Sequence, residues 1–290
     1  MSSPAATSRY FVPQPSYWPL VGSAALLLLA LGAVLTMNKV SNGGLVLAAG
    51  FAVLLVMLFG WFGRVIDESE GGQYNLQVDR SFRWSMGWFI FSEVMFFVAF
   101  FGALFYVRVL SVPELASSAQ ELLWGGFSGH WPTAGPTAEA AKTEFHAMHA
   151  MGIPLLNTLL LLSSGATLTW AHWGMLKGNR GQLKLGLFLT IALGLTFLGF
   201  QAYEYSDAYA HGLKLTTGVY GSTFYMLTGF HGFHVTLGAT MLIVIFLRSL
   251  KGHFTAERHF AFEAVAWYWH FVDVVWLFLF VWVYWWGSGM

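Results

Sequence analysis

Cysteine is absent from the 290 residues, which rules out disulfides, thiolate metal centres and Cys-linked haem. Charge is almost as scarce. Asp, Glu, Lys and Arg make up 10% of the chain, whereas a soluble domain carries about 25%, so there is too little charge to cover a water-facing surface. The formal net charge is +0, and without a basic excess the chain lacks the face that a nucleic-acid partner requires. No Gly-rich phosphate loop follows a strand-like run, which removes nucleotide binding from consideration. Neither a secretory signal nor an Arg-rich leader is visible in residues 1–16, where Arg9 is the sole basic side chain. Membrane insertion is then expected to fall to the first apolar helix.

What is abundant is apolar and aromatic. Hydrophobic residues reach 57% and aromatic residues 18%, with 14 Trp, a supply suited to two membrane interfaces where amphipathic rings settle. A helix needs about 20 apolar residues to cross about 30 Å of hydrocarbon. Seven stretches qualify, at 17–37, 43–62, 84–109, 152–173, 183–203, 218–247 and 260–286. The sequence therefore predicts an all-α integral membrane protein, with residues 1–290 as one membrane domain. The third, sixth and seventh stretches exceed a minimal span and are expected to tilt or protrude. Placing the N-terminus inside puts ten of the 14 Lys and Arg on the inner side: Arg9, Arg64, Arg80, Arg83, Lys177, Arg180, Lys184, Arg248, Lys251 and Arg258. Lys39, Arg108, Lys142 and Lys214 remain outside. That bias predicts a cytoplasmic N-terminus and an external C-terminus. The one long loop, 110–151, then lies outside, with room for a short helix near 114–123 or 137–149.

Several polar residues fall within these spans. Glu93 lies ten residues beyond Arg83, about 15 Å below the inner interface at about 1.5 Å per residue. A carboxylate at that depth costs several kcal/mol unless it is paired or protonated. Two readings stand: a neutral acid donating a hydrogen bond between helices, or part of a proton-handling or lipid-contacting site. His234, at comparable depth, is a candidate partner. His231 and His234 share a helix face at i, i+3, but two imidazoles do not complete a zinc or iron site. They read as interhelical hydrogen-bonding residues, with glycines 229, 232 and 238 letting helices approach. His270 and Asp273 repeat the spacing and read as an internal polar pair. His146 and His149, near Glu144 in the long loop, have metal-like spacing yet read as solvated, and no metal is expected in the chain. At the inner surface, Glu68 with Arg64, and Arg248 with Lys251 and His253, suit anionic lipid head groups or ordinary positive-inside flanking. Ser163, Ser164 and Thr167 read as small packing residues.

Three long runs resemble subunit III of cytochrome c oxidase, in the haem-copper oxidase family. They are 153–158 leading into Ser163, Ser164 and Gly165; 218–224 leading through Gly229, His231 and His234; and 262–286, which contains Trp269, His270, Asp273 and Trp276. Shorter support comes from Trp18, Pro19 and Leu20, from Ser92, Glu93 and Val94, from Trp170, Ala171 and His172, and from the segment 201–205. The resemblance implies a non-redox subunit that stabilises subunit I, binds phospholipid and assists proton uptake, in a proton-pumping complex that oxidises cytochrome c. Haem and copper are then expected in partner subunits I and II, with no cofactor in this chain. It also implies that the first two helices stand apart from the other five across a V-shaped lipid cleft. Glu93 would be the family's carbodiimide-reactive carboxylate, and Trp61, Glu68, Arg248 and His253 would line the lipid. Phe62, where many members carry a second Trp, and Asp67, where some carry a basic residue, depart from the pattern. A bacterial plasma membrane is the expected location. The alternatives are subunit III of a quinol oxidase, which generally lacks the first two helices, and a secondary transporter, which would show inverted repeats and broken midplane helices.

Overall fold

The structure is a computed structural model that describes residues 14–141 and 144–288; Arg9 and Lys142, both used in the charge count, lie outside the described residues. Seven helices are long and apolar enough to cross a membrane: α1 (Trp18–Met37), α2 (Gly43–Glu70), α3 (Leu76–Phe105), α4 (Ile153–Leu176), α5 (Arg180–Ala210), α6 (Val219–Leu250) and α7 (Phe260–Leu279). No strand occurs among the described residues. This all-α, seven-span class suits so apolar a chain, because hydrocarbon offers no partner to a backbone N–H or C=O and runs of about 20 apolar residues match a spanning helix rather than a strand. α3 runs on through a wide π turn (Tyr106–Ser111), and α7 ends in another (Phe280–Trp285). Pro19 and Pro154 sit in the first turns of α1 and α4, where a missing N–H costs nothing and the fixed φ favours the helix. The Asn179 side chain caps α5 by accepting from the Gln182 amide at 3.1 Å.

The chain divides into two compact units, with the boundary between Phe82 and Arg83. In the first, α1 and α2 pack on small residues. Gly22, Ala25 and Gly32 are buried on α1, and Gly43 and Gly50 on α2. A Cβ on Gly50 would stand 2.7 Å from the backbone nitrogen of Leu29, so only glycine permits this backbone approach. Gly50→Leu is expected to cost about 1–3 kcal/mol through overpacking, read as a lower thermal midpoint in detergent. Gly63→Leu, whose Cβ would meet nothing within 4 Å, should leave the midpoint of the isolated chain unchanged.

The second unit centres on Trp269 of α7. Its indole N–H donates to Ser164 Oγ on α4 at 2.9 Å. Its ring lies so close to α5 and α6 that a Cβ on Gly194 or Gly238 would come within 2.7 or 2.8 Å of it. One side chain thus touches three helices. About two turns further on, Trp276 repeats the bond to α4, donating to Thr158 Oγ1 at 2.9 Å. Thr167 and Thr190 join α4 to α5 at 2.8 Å. Of the three α6 glycines expected to admit neighbours, Gly238 alone does so closely. Gly232 faces open space and Gly229 meets only the Tyr205 hydroxyl, at 3.8 Å. Nine residues turn a helix through about 900°, so Gly229 and Gly238 point to opposite sides.

The long loop contains single helical turns at Glu121–Trp124 and Pro136–Ala140 and is fastened to the second unit. Trp131 donates its indole N–H to the Gly287 carbonyl at 2.9 Å, and the Tyr220 amide donates to the Thr133 carbonyl at 3.2 Å. Gly218, at φ +131°, brings α6 against the backbone of Ala134, where any side chain would collide. Arg108 donates to the Trp286 carbonyl and lays its guanidinium over the Trp286 ring at 3.4 Å.

Candidate functional site: an acid–imidazole pair between two spans

Glu93 on α3 and His234 on α6 meet inside the second unit, with His234 Nε2 2.9 Å from Glu93 Oε2. The side chains are 23% and 8% exposed. Aromatic rings enclose the imidazole. Phe97, one turn beyond Glu93, packs edge-on at 5.0 Å between centroids, and Tyr268 of α7 stacks at 6.3 Å. The second ring nitrogen, Nδ1, lies 2.6 Å from the Phe230 carbonyl. A carbonyl can only accept, so Nδ1 must carry a proton. That leaves one proton between Nε2 and Oε2. It sits either on the acid, giving two neutral groups, or on the ring, giving imidazolium and carboxylate. Both forms have zero net charge, so a proton can pass from one group to the other without stranding a net charge in hydrocarbon.

The neighbouring histidine does different work. His231 donates from Nε2 to the Val272 carbonyl at 3.2 Å and packs against Trp276 at 5.1 Å, tying α6 to α7. The i, i+3 spacing of His231 and His234 therefore does not converge on one ligand. His270 and Asp273 face α4, with Nδ1 3.6 Å from Oδ2 and His270 Nε2 3.4 Å from Thr169 Oγ1. Gly165 makes room for them, since a Cβ there would strike Asp273.

Of the residues expected at lipid, Glu68, Arg248 and His253 sit at or just past the ends of α2 and α6, and Trp61 lies nine residues before the end of α2. In the first unit Trp61 is 40% exposed. Glu68 is paired with Arg64 at 3.5 Å and accepts from the Tyr74 hydroxyl at 2.8 Å. Burial, and then the adjacent carboxylate, push the Tyr74 hydroxyl up from its ordinary range, so it stays protonated and keeps donating. In the second unit Arg248 is buried and lays its guanidinium over Phe254 at 4.6 Å; the His253 amide donates to the Arg248 carbonyl at 3.3 Å.

His146 and His149 are exposed, and the ring of His146 faces that of His211 at 6.0 Å. The convergence of possible metal ligands among the described residues lies elsewhere. His172, His259 and Glu263 bring one ligand atom each within 4.8 Å of one another. Arg83 is ion-paired to Glu263, so a cation there would have to displace a guanidinium. The i, i+4 spacing of His259 and Glu263 was visible in sequence; His172, on another helix, carried no signal linking it to them.

The sequence profile of the cytochrome c oxidase subunit III family matches residues 8–288. Proteins described as cytochrome c oxidase subunit 3 from Hippopotamus amphibius, Rhinoceros unicornis and Equus caballus are each 44% identical to the chain over 283 residues, covering 97% of this chain and 98% of the relative. With seven spans and matches of this length, the chain belongs to the cytochrome c oxidase subunit III family.

Proposed function

We propose that the chain is the non-redox subunit III of a proton-pumping cytochrome c oxidase, which stabilises subunit I, binds phospholipid and assists proton uptake. The observation that carries the reading is the Glu93–His234 pair, which joins two spans through a contact of 2.9 Å between Nε2 and Oε2. Subunits I and II are the partners, they carry the haem and copper, and cytochrome c supplies electrons to the complex. Phospholipid engages Trp61 and Glu68 in the first unit, and Arg248 and His253 in the second; the charged side chains among them lie at helix ends, at head-group level. The excess of Lys and Arg on one side of the spans fits an N-terminus on the inner side, and the proposed location is a bacterial plasma membrane. The first two spans, α1 and α2, favour this reading over a quinol oxidase subunit.

Affinity purification of the tagged chain from detergent-solubilised membranes tests the proposal. Haem absorbance and cytochrome c oxidation are expected to follow the tag, and haem bands should be missing from the chain once it is separated. A tag that enriches neither haem nor oxidase subunits would overturn the reading. A tag that enriches only quinol oxidation would move it to the alternative enzyme.

A further inference from the structure

Glu204 of α5 is 0% exposed, the most completely buried carboxyl among the described residues. Gln201 and Tyr284 are close by and bond to each other at 3.4 Å, but no hydrogen bond of regular geometry reaches either oxygen of Glu204. The same lack of a partner affects Gln201 Oε1, the Tyr220 hydroxyl and both polar atoms of Asn157, all buried. Such groups cost several kcal/mol each in an apolar surround, and native interiors satisfy them with water where protein does not.

A space for water stops just short of the carboxyl, which is 0% exposed, so a small movement of the wall is needed to join the two. A cavity of about 530 Å3 has Glu204 in its wall and opens beside Asp207 and His211, whose side chains are 47% and 57% exposed. Ile153, Pro154 and His149 complete its sides. A water occupies about 30 Å3 of liquid volume, so the space admits a chain of them. Asp207 and Tyr205 on α5 itself, Tyr220 and Tyr225 on α6 and Tyr284 beyond α7 are the titratable groups that interact with the carboxyl from the helices around it. Tyr220 lies fourteen residues from His234 on α6, about 20 Å along the axis, which separates this place from the Glu93 pair.

We propose that water entering from the long-loop end hydrates Glu204 and exchanges its proton with the bulk, making it a second proton-exchanging carboxyl of the chain. Its ligand class is water and the solvated proton. The inference does not depend on the oxidase reading, because the exchange is a property of the chain at rest.

Infrared difference spectroscopy on the purified complex tests it. The carboxyl signal of Glu204 is isolated by subtracting Glu204→Gln, or Glu204→Asp if the glutamine variant does not assemble. The signal is expected to respond to D2O or to bath pH within minutes. Ile153→Trp, which narrows the cavity, should slow that response at least about tenfold, since exchange would then need local opening. A signal that ignores both D2O and pH for hours overturns the proposal, as does a response equally fast in Ile153→Trp.

Discussion

Trp269→Ala is expected to lower the stability of the second unit by about 3 kcal/mol. Removing a Trp from a soluble core costs about 3–5 kcal/mol, and part of that cost is absent in lipid, where the unfolded side chain also finds apolar company. Most of it remains, because the ring fills the space beside Gly194 and Gly238, which have no side chain to take its place. Trp269→Phe keeps much of the ring but leaves Ser164 Oγ without its indole donor, so a smaller loss of about 1 kcal/mol is expected. Thermal denaturation in a single detergent reads both variants. Equal midpoints for the wild-type and alanine proteins would mean that the three-helix contact contributes nothing to stability.

The second large effect concerns Glu93. Glu93→Ala leaves His234 Nε2 without its partner, at an expected cost of about 1–3 kcal/mol. Glu93→Gln separates structure from proton handling. Its amide can still donate to Nε2, so stability should stay near the wild-type value, yet it cannot release a proton. Proton uptake by the intact oxidase during turnover is then expected to fall about fivefold in Glu93→Gln, the lower end of coupling between separated sites. Carbodiimide labelling at position 93 should vanish in both variants. A cycle with His234→Ala measures the pair itself. A coupling of about 1–2 kcal/mol is expected for this partly charged bond in a span, and a coupling near zero would reduce the contact to coincidence. If Glu93→Gln restored stability and left proton uptake intact, the pair would be a structural bond alone.

The seven spans were legible because length and apolarity are enough to identify a membrane helix. The ends were not. α3 begins at Leu76 rather than near 84, and α5 runs to Ala210 rather than 203, since helices continue through polar flanks that hydropathy reads as loop. Glu204 lies one residue past the fifth predicted stretch, so depth in the membrane did not single it out, yet the helix carries it on into the bundle. Glu93 and His234 could be matched by depth, because an acid in hydrocarbon demands a partner and few candidates existed. His172, His259 and Glu263 could not, as their meeting depends on how α4 and the start of α7 are placed. The glycines of α6 show the same limit: the sequence places them on one helix, but only the packing decides which one a neighbour needs.

The fastening of the long loop bears on the order in which the molecule is assembled. Arg108 is bonded across 178 residues to Trp286, and Trp131 across 156 to Gly287. At about 5–20 residues per second of synthesis, the loop emerges on the order of ten to thirty seconds before the carbonyls that hold it. The hairpin of α1 and α2 needs no such wait, because its packing partners are adjacent in sequence. The newborn chain therefore carries an unlatched loop for most of its insertion, and the second unit closes on it only when the seventh helix arrives.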